Sequence, residues 1–178
     1  MDLKKEYENA CNTISDITEH LPILYETATE CDHITEMGVR YGVSTRAFLY
    51  ANPKKYVAYD IRIDSRVNEL FEYCKGLGKD YNYIESDVLK IEIEETDFLF
   101  IDTYHCYEQL KQELSLHSSK VRKYIGFHDT FTYGRVGEQS KGILYAIEEF
   151  LEQNKNWEIV HDVDYNNGLI IIENKNNK

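Results

Sequence analysis

The chain has 178 residues, of which 42% are apolar and 29% charged, and its net charge is −12. This length suits one domain with its own hydrophobic core, and the ordinary composition excludes a disordered or fibrous class. The acidic balance argues against a nucleic-acid partner, because binding to a phosphate backbone needs clustered cations.

Residues 1–30 are expected to form an N-terminal helical segment, and its first part, MDLKKEYENACNTISD, is charged and lacks the apolar stretch of a signal sequence. Apolar residues recur at helical spacing from Tyr7 to Leu21, which predicts an amphipathic helix over residues 4–20 that ends before Pro22. No apolar run in the sequence approaches the roughly 18 residues of a membrane helix. We therefore expect a cytoplasmic protein without a membrane partner.

Strands and helices alternate over residues 31–173, which predicts a Rossmann-like, doubly wound α/β sheet with helices on both faces. The whole chain, 1–178, is expected to be one domain. The predicted strands are 33–37, 56–60, 82–85, 97–101 and 123–127, and the predicted helices are 44–51, 64–75, 104–118 and 139–153. Asn167-Gly168 lies between two β-rich runs and is typical of a hairpin, so the mostly parallel sheet should end with an antiparallel strand. The polar, glycine-containing segment 131–142 is expected to be a mobile loop over a site.

A glycine-containing loop follows the first predicted strand and opens the next helix, with the sequence Glu36-Met37-Gly38-Val39-Arg40-Tyr41-Gly42-Val43-Ser44. Glycines at such a turn let a ligand approach backbone N–H groups closely. The dinucleotide pattern G-x-G-x-x-G would need glycine at Arg40, which argues against a pyrophosphate ligand. Asp60 ends the next strand about 20 residues after Gly38, the offset at which a carboxylate meets ribose hydroxyls. A nucleotide-like ligand without pyrophosphate is therefore expected at Glu36, Gly38, Arg40, Gly42, Ser44 and Asp60.

Three further strand ends carry a carboxylate. Asp87 could meet the edge of a base, or cap a turn. Asp102 and Asp129 end two apolar strands one crossover apart, about 30 residues, so both should lie at the carboxyl edge of the sheet beside the glycine loop. Converging carboxylates repel unless a proton or a divalent cation lies between them, and oxygen ligands suit magnesium, calcium or manganese, of which a magnesium-type ion is expected here. Such an ion would lower the pKa of a bound hydroxyl, with His105 as the preferred base and His128 as the other candidate.

The simpler reading of these residues stays open. Asp102 and Asp129 could merely cap helices or turns, and histidines at strand ends are often structural hydrogen-bonding groups. Asp102 is also expected to contact the cofactor, because it should lie beside the glycine loop. It is thus predicted to have catalytic, metal-binding and cofactor-binding roles.

The segments E-M-G-V-R-Y-G-V-S-T, F-I-D-T-Y-H-C-Y-E and F-H-D-T resemble class I S-adenosylmethionine-dependent methyltransferases, in particular the branch that methylates oxygen atoms of sugars and other small molecules. The resemblance covers about residues 30–173. It implies S-adenosylmethionine as cofactor, with the methionine part at Glu36, Gly38 and Gly42 and the ribose at Asp60.

In metal-dependent members of this branch the acids after the fourth and fifth strands bind magnesium, which implies Asp102 and Asp129 here. Thr130 stands where relatives often carry Asn or Asp as a further ligand. The stretch I-D-T-Y-H-C-Y-E resembles I-D-G-D-H-S-Y-E of many relatives, with Thr103 and Tyr104 in place of glycine and acid and with His105 retained.

The resemblance implies methylation of a hydroxyl on a small acceptor, such as a sugar, a nucleotide-sugar or another polyhydroxylated molecule. Two alternatives belong to other classes. One is a catalytically inactive cofactor-binding or scaffold protein of the same fold. The other is a nicotinamide-dependent oxidoreductase, against which Arg40 argues. Helix faces that stay exposed could pair in a homodimer.

Overall fold

A computed structural model describes residues 1–177, and within them the strands form one sheet. The strands are β1 (His33–Met37), β2 (Lys55–Asp60), β3 (Asp80–Glu85), β4 (Thr96–Ile101), β5 (Val121–His128), β6 (Trp157–Val163) and β7 (Leu169–Asn174). Their order across the sheet is β3-β2-β1-β4-β5-β7-β6. Strands β1 to β5 are parallel, and β7 runs antiparallel to both β5 and β6. The predicted mostly parallel sheet with an antiparallel end is confirmed.

Helices cover both faces of this sheet. They are α1 (Leu3–Cys11), α2 (Leu21–Thr29), α3 (Val43–Ala51), α4 (Ser65–Gly76), α5 (Tyr107–His117) and α6 (Leu144–Gln153). Successive strand residues point to opposite faces, so Phe98 and Phe100 pack with the residues under α1 to α4, while Leu99 and Ile101 pack with α5 and α6. This is why the four residues Phe98–Ile101 of β4 are all apolar. Among the described residues, no helix is long and apolar enough to cross a membrane.

The prediction of one helix over residues 4–20 is wrong. Helix α1 ends at Cys11, where the Asn12 and Thr13 side chains donate hydrogen bonds to backbone carbonyls of the last turn. Ile14 is 100% exposed, so the apolar spacing that suggested a longer helix has no packing partner there. Pro22 lies in the first turn of α2 and does not break a helix, because a first-turn residue needs no N–H partner.

The predicted hairpin is present between β6 and β7. Asn166, Asn167 and Gly168 all have positive φ angles, of 48°, 71° and 91°, which is the conformation that Asn and Gly tolerate best. The Asn167 carbonyl accepts hydrogen bonds from the backbone N–H groups of Phe131 and Thr132. The turn therefore also fixes the segment that follows β5, next to the candidate site.

Candidate functional site

The glycine loop between β1 and α3 is held by the carboxylate at the end of β2. Asp60 Oδ2 accepts hydrogen bonds of 2.8 Å from the backbone N–H groups of both Val39 and Arg40. Gly38 and Gly42 have positive φ angles of 85° and 68°, and Gly42 precedes the first turn of α3. The Asp60 carboxylate therefore lies beside the glycine loop, as its position in the sequence suggested. Its two hydrogen bonds fix the conformation of that loop.

A cavity of about 480 Å³, called here the first cavity, lies over the carboxyl ends of the parallel strands. This volume is within the range of small-molecule sites, roughly 300 to 1,000 Å³. The first cavity brings together four residues singled out in the sequence, namely Gly38, Asp60, Asp87 and Asp102. Its remaining lining residues are Tyr59, Ile61, Ser86, Val88, Thr103, Tyr104, Gln109 and Glu138.

A second cavity, of about 300 Å³, lies on the other side of Asp102. Arg40, Ser44 and Asp102 line it, and so do Ser15 and Asp16 of the N-terminal segment. Arg40 Nη1 lies 3.0 Å from Asp16 Oδ2, an ion pair that connects the glycine loop with this segment. Asp102 thus lines both cavities, and the N-terminal segment supplies a wall that sequence reasoning did not assign.

Glu36 lies beneath the glycine loop and lines neither cavity. Its buried carboxylate accepts hydrogen bonds from Ser44 Oγ at 2.5 Å, from Thr45 Oγ1 at 2.8 Å and from the Tyr56 hydroxyl. Burial raises the pKa of Glu36 to about 7, although the three hydroxyl donors oppose this change. Glu36 was expected to contact the ligand. In the structure it instead joins α3 to β2 beneath the loop.

Asp102, His105, His128 and Asp129 form an acid–histidine cluster at the ends of β4 and β5. His105 Nε2 lies 2.8 Å from Asp129 Oδ2 and 3.5 Å from Asp102 Oδ1. His128 Nδ1 lies 3.3 Å from an oxygen of each aspartate. Despite these distances, neither buried ring nitrogen makes a hydrogen bond of acceptable geometry. The expected convergence of both aspartates and both histidines is therefore present.

The charges within the acid–histidine cluster stabilise one another. Burial alone would lower the pKa values of His105 and His128, but the two carboxylates outweigh it and raise both to about 10. In turn, the histidines keep the pKa values of Asp102 and Asp129 below the ordinary range, against the effect of burial. Each carboxylate therefore favours the protonated form of the histidines, and each histidine favours the ionised form of the aspartates.

Contacts outside the cluster fix the orientation of the His128 ring. His128 Nε2 lies 3.1 Å from the backbone oxygen of Asp16 and 3.3 Å from that of Asn166. Because carbonyl oxygens only accept hydrogen bonds, Nε2 carries a proton, and Nδ1 is the nitrogen that faces the carboxylates. Asp129 has a positive φ of 60°, a strained conformation for a residue with a side chain, and its Oδ1 accepts a hydrogen bond from Asn167 Nδ2 at 2.8 Å.

The predicted loop 131–142 packs against the other histidine of the cluster. Glu138 Oε1 lies 2.9 Å from His105 Nδ1, and the Tyr133 ring stacks on the His105 ring with centroids 4.6 Å apart. The backbone N–H of Glu138 also donates to the carbonyl of His105. Tyr133 and Glu138 of this loop therefore position His105. The polar composition of the loop did not indicate these contacts.

The donor set of the cluster fits a divalent cation. One ligand atom each from Asp102, His128 and Asp129 can be chosen so that all lie within 4.8 Å of one another, and the nitrogen among them lacks a hydrogen bond. Thr130 is not part of this group. The positive φ of Asp129 turns the chain away, and Thr130 is buried beside Gly168 of the hairpin. The His128 imidazole is therefore a candidate ligand beside the two aspartates, and a mixed set of nitrogen and oxygen donors suits Mn²⁺, Fe²⁺ or Zn²⁺ better than Mg²⁺.

Asp87 lines the first cavity after the end of β3, and α5 adds polar side chains that were not among the predicted site residues. Asp87 caps the short helical turn Val88–Lys90, as its alternative reading expected, with Oδ1 accepting from Leu89 N at 3.0 Å and Oδ2 lying 2.9 Å from Lys90 Nζ. Gln109 of α5 lines the same cavity, and the buried Glu113 lies behind it. The sequence showed only that Gln109 and Glu113 are four residues apart and so lie on one side of a helix. Two polar residues at that spacing usually lie on the solvent-exposed face of a helix, so the pair did not indicate a site.

No family model matches the chain, and no curated protein matches its sequence. Its structure, in contrast, is similar to solved methyltransferases. The N-methyltransferase NodS from Bradyrhizobium japonicum, bound to S-adenosylhomocysteine, has a TM-score of 0.68 and 14% identity over 97% of this chain and 96% of that one. A Staphylococcus aureus protein provisionally described as a caffeoyl-CoA O-methyltransferase has a TM-score of 0.67 and 13% identity over 98% and 92%.

The chain has the class I methyltransferase fold. A third similar structure, the Podospora anserina methyltransferase PaMTH1 bound to S-adenosylhomocysteine, has a TM-score of 0.61 and 18% identity over 96% of this chain and 86% of that one. The resemblance drawn from the glycine loop and the two strand ends is confirmed for the fold. Because both N- and O-methyltransferases share it, the fold does not select the acceptor atom.

Proposed function

We propose that this protein is an S-adenosylmethionine-dependent methyltransferase that acts on a hydroxyl group of a small polar molecule. The observation that carries the proposal is the position of Asp102 in the wall of both cavities and in the acid–histidine cluster. A donor that extends from the first cavity to Asp102 would present its methyl group beside ionisable side chains. Those side chains are the ones that an acceptor hydroxyl needs for loss of its proton.

The first cavity suits the adenosine part of S-adenosylmethionine. Gly38 and Asp60 lie at one end, where ribose hydroxyls are bound in nucleotide sites of this topology. The sulfonium would then lie near Asp102, whose negative charge favours a cation. Arg40 of the second cavity is suited to the carboxylate of the methionine part, whereas the Ser44 hydroxyl, in the same cavity wall, already donates to Glu36. Glu36 would act indirectly, by supporting the loop.

The transfer itself needs positioning and one proton acceptor. An oxygen of the acceptor attacks the methyl carbon, the new C–O bond forms as the C–S bond breaks, and sulfur keeps the electron pair as the neutral thioether of S-adenosylhomocysteine. The hydroxyl proton passes to His105 Nε2 in our proposal. His105 can accept it only after losing its own proton, and that proton is held by the carboxylates of Asp102 and Asp129.

Metal assistance is part of the proposal. Asp102, Asp129 and His128 would hold the ion, with His128 Nδ1 releasing its proton on binding, and the charge of the ion would lower the pKa of an acceptor hydroxyl. Engagement of both carboxylates would also remove the stabilisation that keeps His105 protonated. Asp102 and Asp129 would then no longer pair with His105, and His105 could act as the base.

The acceptor is proposed to be a sugar, a nucleotide-sugar or another polyhydroxylated small molecule. This choice rests on the sequence resemblance, and the polar lining of the second cavity by Ser15, Asp16 and Arg40 is compatible with it. One protein of the same fold, the Burkholderia thailandensis 1,6-didemethyltoxoflavin-N1-methyltransferase, has a small heterocyclic substrate. A small acceptor is therefore compatible with this architecture.

Transfer of a labelled methyl group from S-adenosylmethionine to a panel of sugars and nucleotide-sugars, with Mn²⁺ or Mg²⁺, tests the proposal. We expect turnover that falls at least about 100-fold in Asp102→Asn and in His105→Gln, the size typical of a lost general base or charged partner. Asp162→Asn, at an exposed position of β6, is the matched control and should retain activity. Cofactor binding without transfer to any acceptor would favour the scaffold alternative.

A further inference from the structure

Three polar residues form a stripe on a buried face of α5. Gln109, Glu113 and His117 are spaced four residues apart, and both Glu113 and His117 are fully buried. His117 Nε2 contacts the backbone oxygen of Val88 at 2.9 Å. The stripe therefore faces the segment between β3 and β4, whose residues Asp87 and Val88 line the first cavity. Neither the cluster chemistry nor the glycine loop uses these groups.

Glu113 connects two residues that line the first cavity. Its Oε1 accepts hydrogen bonds from Thr103 Oγ1 at 2.7 Å and from Gln109 Nε2 at 2.8 Å. Both Thr103 and Gln109 line the cavity. Thr103 occupies the position at which related sequences carry glycine, and this contact gives its hydroxyl a partner. Glu113 thus ties the start of α5 to the end of β4 behind the cavity wall.

This contact determines which atom Gln109 offers to a ligand. A carboxyl oxygen at Oε1 accepts a hydrogen bond, so the Gln109 amide must turn its NH₂ group toward Glu113. This holds whether or not the unpartnered, buried Oε2 carries a proton. The carbonyl oxygen of Gln109 is then the hydrogen-bonding atom left for the cavity. Glu113 fixes the amide in one of its two orientations.

Asp87, the other acceptor at this end of the cavity, already has partners. One of its oxygens accepts from Leu89 N, and the other lies beside Lys90 Nζ. The side chain is committed to the cap of the turn Val88–Lys90. A ligand would thus have to share an Asp87 oxygen with these partners, whereas the Gln109 carbonyl oxygen is the atom of its amide that Glu113 leaves for the cavity.

We propose that Gln109, positioned by Glu113, selects a 6-aminopurine over a 6-oxopurine in the first cavity. The placement of the purine at this end rests on the proposed function. The Gln109 carbonyl accepts a hydrogen bond from the exocyclic amine of adenine, whereas a 6-oxo group would place two acceptors against each other. A site that offers one fixed hydrogen-bonding group rejects a ligand that leaves it unpaired. Gln109 is thus a specificity residue and Glu113 a positioning residue.

The test compares the dissociation constants of S-adenosylhomocysteine and S-inosylhomocysteine by titration calorimetry. We expect the protein to prefer the adenosine compound by at least about 10-fold, the loss typical of one unpaired group. Gln109→Leu should weaken adenosine binding, leave inosine binding nearly unchanged and bring the ratio close to one. Gln112→Leu, the same change on the exposed face of the same helix, is the matched control and should keep the ratio.

Glu113 has its own pair of variants. Glu113→Gln retains an acceptor oxygen and should retain the preference, whereas Glu113→Leu frees the Gln109 amide to rotate and should reduce it. A ratio that does not change in Gln109→Leu would overturn the inference, even if Glu113→Leu fails to fold. Binding of neither compound to the unmodified protein would instead refute the proposed function, and this inference with it.

Discussion

Gly38 and Asp102 are packed so closely that a β-carbon on Gly38 would lie 1.9 Å from the backbone oxygen of Asp102. Hydrogen bonds from Gly38 N to the Tyr59 carbonyl and from Asp102 N to the Met37 carbonyl join the ends of β2, β1 and β4 at this point. The loop expected to hold the cofactor and the carboxylate expected to serve the chemistry are therefore in direct contact. One small ligand can reach both.

Gly38→Ala should abolish cofactor binding and destabilise the protein. The positive φ of Gly38 already disfavours alanine by roughly 1–2 kcal/mol, and relief of the clash with Asp102 adds to that cost. Gly76→Ala is the matched control. No atom lies within 4 Å of a β-carbon at Gly76, the last residue of α4, so this change should be neutral or slightly stabilising. Equal unfolding midpoints in urea for the two variants would contradict the close packing.

Binding of Mn²⁺ distinguishes Thr130, the third metal ligand expected from the sequence, from His128, whose ring nitrogen lies beside Asp102 and Asp129 in the structure. We expect His128→Asn and Asp129→Asn to weaken Mn²⁺ binding at least about 10-fold, the usual effect of removing a ligand or its support. Thr130→Val removes the hydroxyl of Thr130 but keeps the shape of its side chain. Because we place Thr130 outside the ligand set, this variant should bind Mn²⁺ like the unmodified protein. Electron paramagnetic resonance of free Mn²⁺ measures all three. Weaker binding in Thr130→Val alone would show that the ligand assignment is wrong.

The stability of the protein should fall between pH 4.5 and pH 7 because of Glu36. Its pKa is raised from 4.5 to about 7 in the folded protein, so the folded state binds this proton more tightly than the unfolded state does. The penalty is absent below pH 4.5 and complete above pH 7. At roughly 1.4 kcal/mol per pKa unit, its size is on the order of 3 kcal/mol.

Glu36→Gln removes this titration and retains hydrogen-bonding capacity toward Ser44 and Thr45. The free energy of unfolding of the variant, relative to the unmodified protein, should therefore rise by about that amount from pH 4.5 to pH 8. Glu113, whose buried carboxyl has a pKa similarly raised to about 7, is present in both proteins and cancels from the difference. Parallel pH dependences in urea unfolding experiments would disprove the assignment to Glu36.

The sequence predicted the sheet and the convergence of its carboxylates because both follow from local patterns. Apolar runs ending in Asp60, Asp102 and Asp129 mark parallel strands, and such strands end at one edge of a sheet. The hairpin at Asn167-Gly168 was predicted on similar grounds, since its turn needs residues that tolerate positive φ.

The features that the sequence did not predict depend on contacts between distant segments. The backbone oxygen of Asp16 reaches His128 only because the N-terminal segment folds over the sheet edge. Thr130 is buried beside Gly168, after a positive φ angle at Asp129 that no composition rule indicates. Glu113 resembles a solvated helix residue until the partners on β4 are known. Burial of polar groups is decided by the tertiary structure, which is why a single sequence gave no sign of it.

The central claim is that the first cavity binds S-adenosylmethionine and its product, and calorimetric titration with S-adenosylhomocysteine tests it most directly. We predict one-to-one binding with a dissociation constant on the order of micromolar, weakened at least about 10-fold in Asp60→Ala, which frees the N–H groups of Val39 and Arg40. Asp162→Ala, at the exposed position on β6, should bind like the unmodified protein. Absence of binding to the unmodified, folded protein, or undiminished binding to Asp60→Ala, would contradict the claim.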